Sequence, residues 1–249
     1  MRFSLESYRA LIRSALDAGF SPVPFTAEQS HRERSLLLRH DVDYSLEMAV
    51  QLARVNAELD VSGTFFILVR GHAYNPMSRA SLARLAELLH LGQRLGLHVA
   101  GGEEDIPVDF MQLTSAFPVE EVFSWHNPIP EVLDKYRGHD TVNGLLNAYS
   151  KRFLDDALYV SDSNFGRTYE QLLAAFDGRR DTVHLLLHPI NWVAGGDTMV
   201  EVFEHAWPYL IREAELEGRT NRIYSEHFPD GMPDSLLTEF ARRWRQAAG

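Results

Sequence analysis

Apolar positions along the chain fall into two rhythms that alternate with each other. Continuous apolar runs bounded by polar residues read as buried strands: Ser35 to Tyr44, centred on Leu36, Leu37 and Leu38, then Gly63 to Val69, Leu95 to Ala100, Val122 to His126, Leu158 to Ser163 and Val183 to His188. Between them, apolar residues recur every three or four positions, which predicts helices over 4–19, from Ser45 to Asp60, from Ser78 through Leu89, and over 110–117, 198–217 and 235–247. Thr26 to Arg34 reads as a polar loop and 129–147 as irregular chain. Strand followed by helix, repeated, predicts an α/β fold with a mostly parallel sheet, either doubly wound or closed into a barrel.

The predicted strands share a chemical ending. They stop at Asp41 and Asp43, at His98, at His126, at Asp162 and at His188. In either architecture the C-terminal ends of parallel strands carry the ligand site, so these groups are expected to converge. Residues two apart on a strand share a face, which points Asp41 and Asp43 the same way. Two carboxylates held that close need a cation, a shared proton or water between them, so the pair reads as a metal site or an acid/base dyad. The plainer alternative is a strand-end turn with a helix cap.

Composition narrows the chemistry. Among 249 residues there are no cysteines, which removes disulfides, thiolate zinc sites and cysteine nucleophiles; any metal must be held by imidazole and carboxylate. A carboxylate with two imidazoles is a catalytic rather than a structural zinc set, and it fits metal-assisted hydrolysis of an amide or ester. With 24 Lys and Arg against 35 Asp and Glu, the net charge of −11 disfavours nucleic acid and anionic membrane as partners. The short basic group Arg242-Arg243-Trp244-Arg245 reads as a solvated helix end. No stretch reaches the about 20 apolar residues of a membrane span, and Met1 to Phe20 lacks the apolar core of a signal peptide, so the expected location is the cytoplasm.

Six motifs in order carry a resemblance: Arg39-His40-Asp41-Val42-Asp43-Tyr44-Ser45, Gly63-Thr64-Phe65-Phe66, Gly92 through His98, Ser124-Trp125-His126-Asn127-Pro128, Tyr159 through Ser163, and Leu186-Leu187-His188-Pro189. Over about residues 35–195 the chain resembles the polysaccharide deacetylases, the NodB-homology or carbohydrate esterase group. The likeness is greatest to a bacterial branch with an Arg-His-Asp-Val-Asp motif associated with O-antigen and other surface polysaccharides. It implies a distorted (β/α) barrel of mostly parallel strands, formed by one domain over residues 1–249, with 1–34 a capping helix and loop and 198–249 C-terminal helices. It implies one divalent metal, with zinc the first choice, Asp41 as general base, Asp43 and His98 as metal ligands and His188 as proton donor. The substrate it implies is an N-acylated sugar on a nucleotide or lipid carrier. A further ligand of the family is missing from its usual place, where this chain has Ala100 and Gly102. His126, Glu103 or Asp162 can replace it, and His126 is preferred because it completes a His2Asp set. The arginine that usually orients the base is also missing, leaving Arg39 and Arg167 as candidates. Tyr44, Asn75, Trp125, Asp162 and Trp192 are expected to contact the sugar. The alternative function is a degraded family member that binds carbohydrate or a partner enzyme without hydrolysis.

Overall fold

The structure, a computed structural model, describes residues 2–27 and 34–233, with Ser235 and Glu239 beyond them. Most of the expected 235–247 helix, with the basic group inside it, and most of the Thr26 to Arg34 loop therefore lie outside the described residues. Helix α1 (Leu5–Asp17) opens the chain from a capping box in which Ser4 and Ser7 satisfy each other's backbone N–H. There follow β1 (Ser21–Pro22), β2 (Ser35–Val42), α2 (Leu46–Glu58, capped by Ser45), β3 (Thr64–Leu68), α3 (Arg79–His90, capped by Ser78), β4 (Arg94–Val99), α4 (Asp105–Thr114), β5 (Val122–Trp125) and α5 (Pro130–Tyr136). The second half holds β6 (Thr141–Val142), β7 (Leu145–Asn147), β8 (Leu158–Ser161), α6 (Tyr169–Leu173), β9 (Thr182–Leu187), α7 (Pro189–Val193), α8 (Met199–Gly218) and α9 (Arg222–His227).

The strands form one curled sheet in the order β6-β7-β5-β4-β3-β2-β9-β8, with β1 beside β2. All pairs are parallel except the β6–β7 hairpin. Among the described residues β6 and β8 do not pair, so the barrel stays open between them, as expected of a distorted rather than a complete one. All six strands expected from apolar runs are present as β2, β3, β4, β5, β8 and β9. The supposedly irregular 129–147 segment instead holds α5 and the β6–β7 hairpin, whose two- and three-residue strands are too short to show a period. The helix expected over 110–117 begins earlier, at Asp105, because Pro107 in its first turn removes only an N–H that has no partner there.

Alternation along β2 divides its side chains between two environments. Leu36, Leu38 and Val42 join the main core under the helices, together with Phe65 and Ile67 of β3 and Tyr8, Leu11 and Ile12 of α1. On this face His40 lies flat on Phe65, with centroids 4.2 Å apart, and its Nε2 donates to Tyr8 Oη, which in turn donates to Asn56 Oδ1. Leu37 points the other way, into a smaller cluster with Phe25, Phe66, Val122, Ala148 and Phe153 that plugs the barrel interior. Gly96 makes room for this plug: a Cβ there would stand 3.0 Å from Phe66 Cε1. Above the plug, on the same inner face, the chain places Arg39, Asp41, His98, Ser124 and His188.

Candidate active site

Asp41 is fixed from below by its own strand. Arg39, two residues earlier and on the same face, donates from Nε and Nη2 to the two carboxylate oxygens of Asp41, each at 2.7 Å. The guanidinium has no exposed surface and lies over the Tyr149 and Phe66 rings, with Cζ 4.6 and 5.1 Å from their centroids. Burial opposes charge on Asp41, but the Arg39 guanidinium, helped by His98 and His188, holds the carboxyl below the usual carboxylate range. The orienting cation that the sequence left between Arg39 and Arg167 is thus Arg39. Arg167 lies instead beside Arg2, Phe3 and Tyr169, lining a separate cleft.

Asp43, at the end of the same strand, meets the ends of β4 and β5. Its Oδ1 lies 3.2 Å from His98 Nε2 and 3.3 Å from His126 Nδ1, and those two nitrogens are 3.2 Å apart. Neither nitrogen is aligned to donate to Oδ1, which is buried without a hydrogen-bond partner. Three ligand-type atoms thus form a near-equilateral triangle around a common centre. Tetrahedral zinc with bonds of about 2.0 Å has ligand-to-ligand edges of about 3.3 Å, and two imidazoles with one carboxylate are its usual catalytic donors, so the residues fit such a cation. Burial opposes ionisation of Asp43, yet the two imidazoles outweigh it and hold the carboxyl well below its ordinary range. Contact with the Asp43 carboxylate raises the His126 imidazole. On the far side of the His98 ring, Nδ1 lies 2.7 Å from Ser124 Oγ and 3.2 Å from Ser124 O. A carbonyl only accepts, so Nδ1 carries the proton and Nε2 turns its lone pair to the centre.

His188 approaches from β9, with Nε2 3.9 Å from Asp43 Oδ2. Behind it Asp162, with no exposed surface, accepts from His188 Nδ1 at 2.6 Å, from the His188 backbone N–H at 3.0 Å and from Trp192 Nε1 at 2.7 Å. Burial by itself pushes the His188 imidazole down; the Asp162 carboxylate, with Asp43 and Asp41, reverses this and raises it to about 9. One ionised carboxylate, Asp41, and one imidazolium, His188, therefore flank the triangle at neutral pH.

The structure brings Asp41, Asp43, His98, His126 and His188 together in one small cleft of about 190 Å³. Its walls add Tyr149, Asn127, Pro128, Ser163 and Asn164, of which Tyr149 and Asn164 carry no sequence signal of a site. The expected sugar-contacting residues need revision. Asp162 and Trp192 are buried behind His188 and have no surface to offer a substrate. The indole of Trp125, at the cleft edge, packs on Phe123 and Tyr136 because its position on β5 alternates with that of inward-facing Ser124. Tyr44 packs edge-on against Phe203 of α8. Asn75 is exposed and lines a different cleft, between α3 and α8, with Arg84 and Glu213. Glu103, the other replacement ligand, is engaged by Lys135 and Tyr136 away from the triangle.

No protein-family model matches the chain, and no curated protein matches its sequence. Among solved structures, the catalytic domain of a peptidoglycan N-acetylglucosamine deacetylase from Eubacterium rectale is similar at 14% identity, over 76% of this chain and 90% of that one, with a TM-score of 0.45. At that distance the likeness bears on neither ligand nor reaction.

Proposed function

We propose that this protein is a metal-dependent hydrolase that removes an acetyl or related acyl group from an N-acylated sugar. The observation that carries the reading is the Asp43–His98–His126 triangle set between an ionised Asp41 and a protonated His188. Asp43, His98 and His126 would hold the divalent cation, for which zinc is the first choice. A cation bound there supplies a polarised acyl carbonyl and an acidified water. Asp41, fixed by both arms of the Arg39 fork, takes the proton from the attacking water. His188, held by Asp162 through Nδ1, delivers its Nε2 proton to the departing amine as the C–N bond breaks. Because Asp41 and His188 start in opposite charge states, neither needs to exchange protons with solvent before the reaction. His126 would fill the gap left at Ala100 and Gly102, and the triangle it completes supports hydrolysis over a binding-only protein. The motif resemblance supports placing the sugar on a nucleotide or lipid carrier, in the cytoplasm, during assembly of an O-antigen or another bacterial surface polysaccharide.

The test is release of free acetate from a panel of N-acetylated sugars, sugar nucleotides and lipid-linked sugars by zinc-loaded protein. Acetate release abolished in D43A and H188A is the expected result. A zinc-loaded wild type that binds one of these sugars and releases no acyl group from any would establish the binding-only alternative instead.

A further inference from the structure

The two imidazoles of the triangle are braced differently. His98 is held by Ser124 on the neighbouring strand, whereas among the described residues the outer nitrogen of His126 meets only the side chain of the next residue: Asn127 Nδ2 lies 3.0 Å from His126 Nε2. Asn127 is exposed, adopts a left-handed φ of 46° and precedes Pro128; asparagine is among the few residues that take this conformation readily. An amide N–H donating to Nε2 requires a lone pair there, which puts the proton of the neutral ring on Nδ1. That proton is directed at His98 Nε2, 3.2 Å away. The chain of donors therefore runs from Asn127 to His126 to His98 to Ser124, and the His126 Nδ1 proton occupies the centre where a cation would sit.

On this basis, and resting on the metal site of the proposed function, we infer that Asn127 is a positioning residue that selects the tautomer of His126. With Nδ2 toward the ring it holds the metal-free form; turned over about its Cβ–Cγ bond, it presents Oδ1, accepts from Nε2–H and frees the Nδ1 lone pair for the cation. Outer hydrogen bonds of this kind are worth about 10- to 100-fold in metal affinity.

The experiment measures zinc affinity of the full chain, by competition with a chromogenic chelator, for wild type, N127A, N127G and N127D. N127D, which only accepts, supports the loaded tautomer without holding the metal-free one and is expected to lower the Kd about 10- to 100-fold below wild type. N127A and N127G lose the donor and the acceptor together and are expected to bind alike, each more weakly than N127D. Glycine keeps the left-handed turn, so equal values in the two assign the effect to the side chain and not to the backbone. Nitrogen-15 spectra of the metal-free proteins, at a pH where the ring is neutral, are expected to show the His126 proton on Nδ1 in wild type and on Nε2 in N127D. Kd values that agree within about twofold across the four proteins, a loss confined to N127A, or the Nε2 tautomer in metal-free wild type would overturn the inference while leaving the zinc site standing. A wild type that binds no zinc removes the proposed function along with it.

Discussion

Replacing Asp162 by asparagine isolates one charge behind the acid. The substitution keeps the size of the side chain and an acceptor for His188 Nδ1, but removes the carboxylate that lies 2.6 Å from that nitrogen and is the largest influence raising its pKa. In the wild type His188 is raised to about 9 against an ordinary value of about 6.5, a preference for the charged ring of about 3 kcal/mol. In D162N burial still pushes the ring down and Asp43 and Asp41 still push it up, so the ring is expected to return toward its ordinary value of about 6.5. At pH 7.5 the imidazolium fraction then falls from about 97% toward about 9%, about a tenfold loss of the charged ring. The assay is an NMR titration of the His188 ring in metal-free wild type and D162N, followed by pH profiles of the loaded proteins. The alkaline limb of D162N should move down by more than two units, with activity recovering toward pH 6. A wild-type ring that titrates near 6.5, or a D162N ring still near 9, would refute the argument. The stability of the metal-free protein carries the same signature. Because the folded pKa lies above the unfolded one, the stabilisation is full below about pH 6.5 and is lost as the pH rises through about 9. D162N should lose less over that window.

The other buried histidines and the interior ion pair give further expectations. His184, between the rings of Phe25, Phe153 and Tyr159, is pushed down to about 3 by burial and by the charge of Arg39. Its neutral folded form favours unfolding as the pH falls below about 6.5, at a cost of about 2 kcal/mol between pH 7.5 and 5. Denaturant melts of H184F should show a correspondingly flatter acid limb, with His40, also lowered to about 3 by burial, retaining its share. R39M leaves the Asp41 carboxylate buried without its partner and should destabilise the fold by about 3–5 kcal/mol in urea unfolding; R39M/D41N should recover part of that loss, since it removes the stranded charge. N75A, in the cleft between α3 and α8, should leave hydrolysis within about twofold of wild type, while Y149F, at the wall of the cleft that holds Asp41 and His188, should alter KM.

What the sequence made legible followed from period and strand ends. The six long strands were readable because their apolar runs are bounded by polar residues, and the convergence of Asp41, Asp43, His98, His126 and His188 followed from parallel strands ending on one side. Arg39 was available from the same reasoning that paired Asp41 with Asp43, since residues 39, 41 and 43 alternate onto one face. Alternation also sets Trp125: one residue from Ser124, which faces His98, it packs its indole on Tyr136 while still lining the edge of the cleft. Asp162 and Trp192 could not be placed from period. Their burial depends on how the short helix α7 folds back after His188 to bring the indole onto the carboxylate, and that is a tertiary contact with no local pattern. The β6–β7 hairpin was hidden for a different reason, being shorter than any period that a window can register.

Asp43, His98 and His126 are proposed to form one cation site, and X-ray absorption at the zinc edge of the loaded, buffer-exchanged protein reads that site at the metal itself. The expected spectrum has a first shell of nitrogen and oxygen neighbours at about 2.0–2.1 Å and the outer-shell scattering of two imidazole rings, falling to one ring in H126A. Zinc that washes out on buffer exchange, or a spectrum unchanged by H126A, would rule out a cation site built on these three residues.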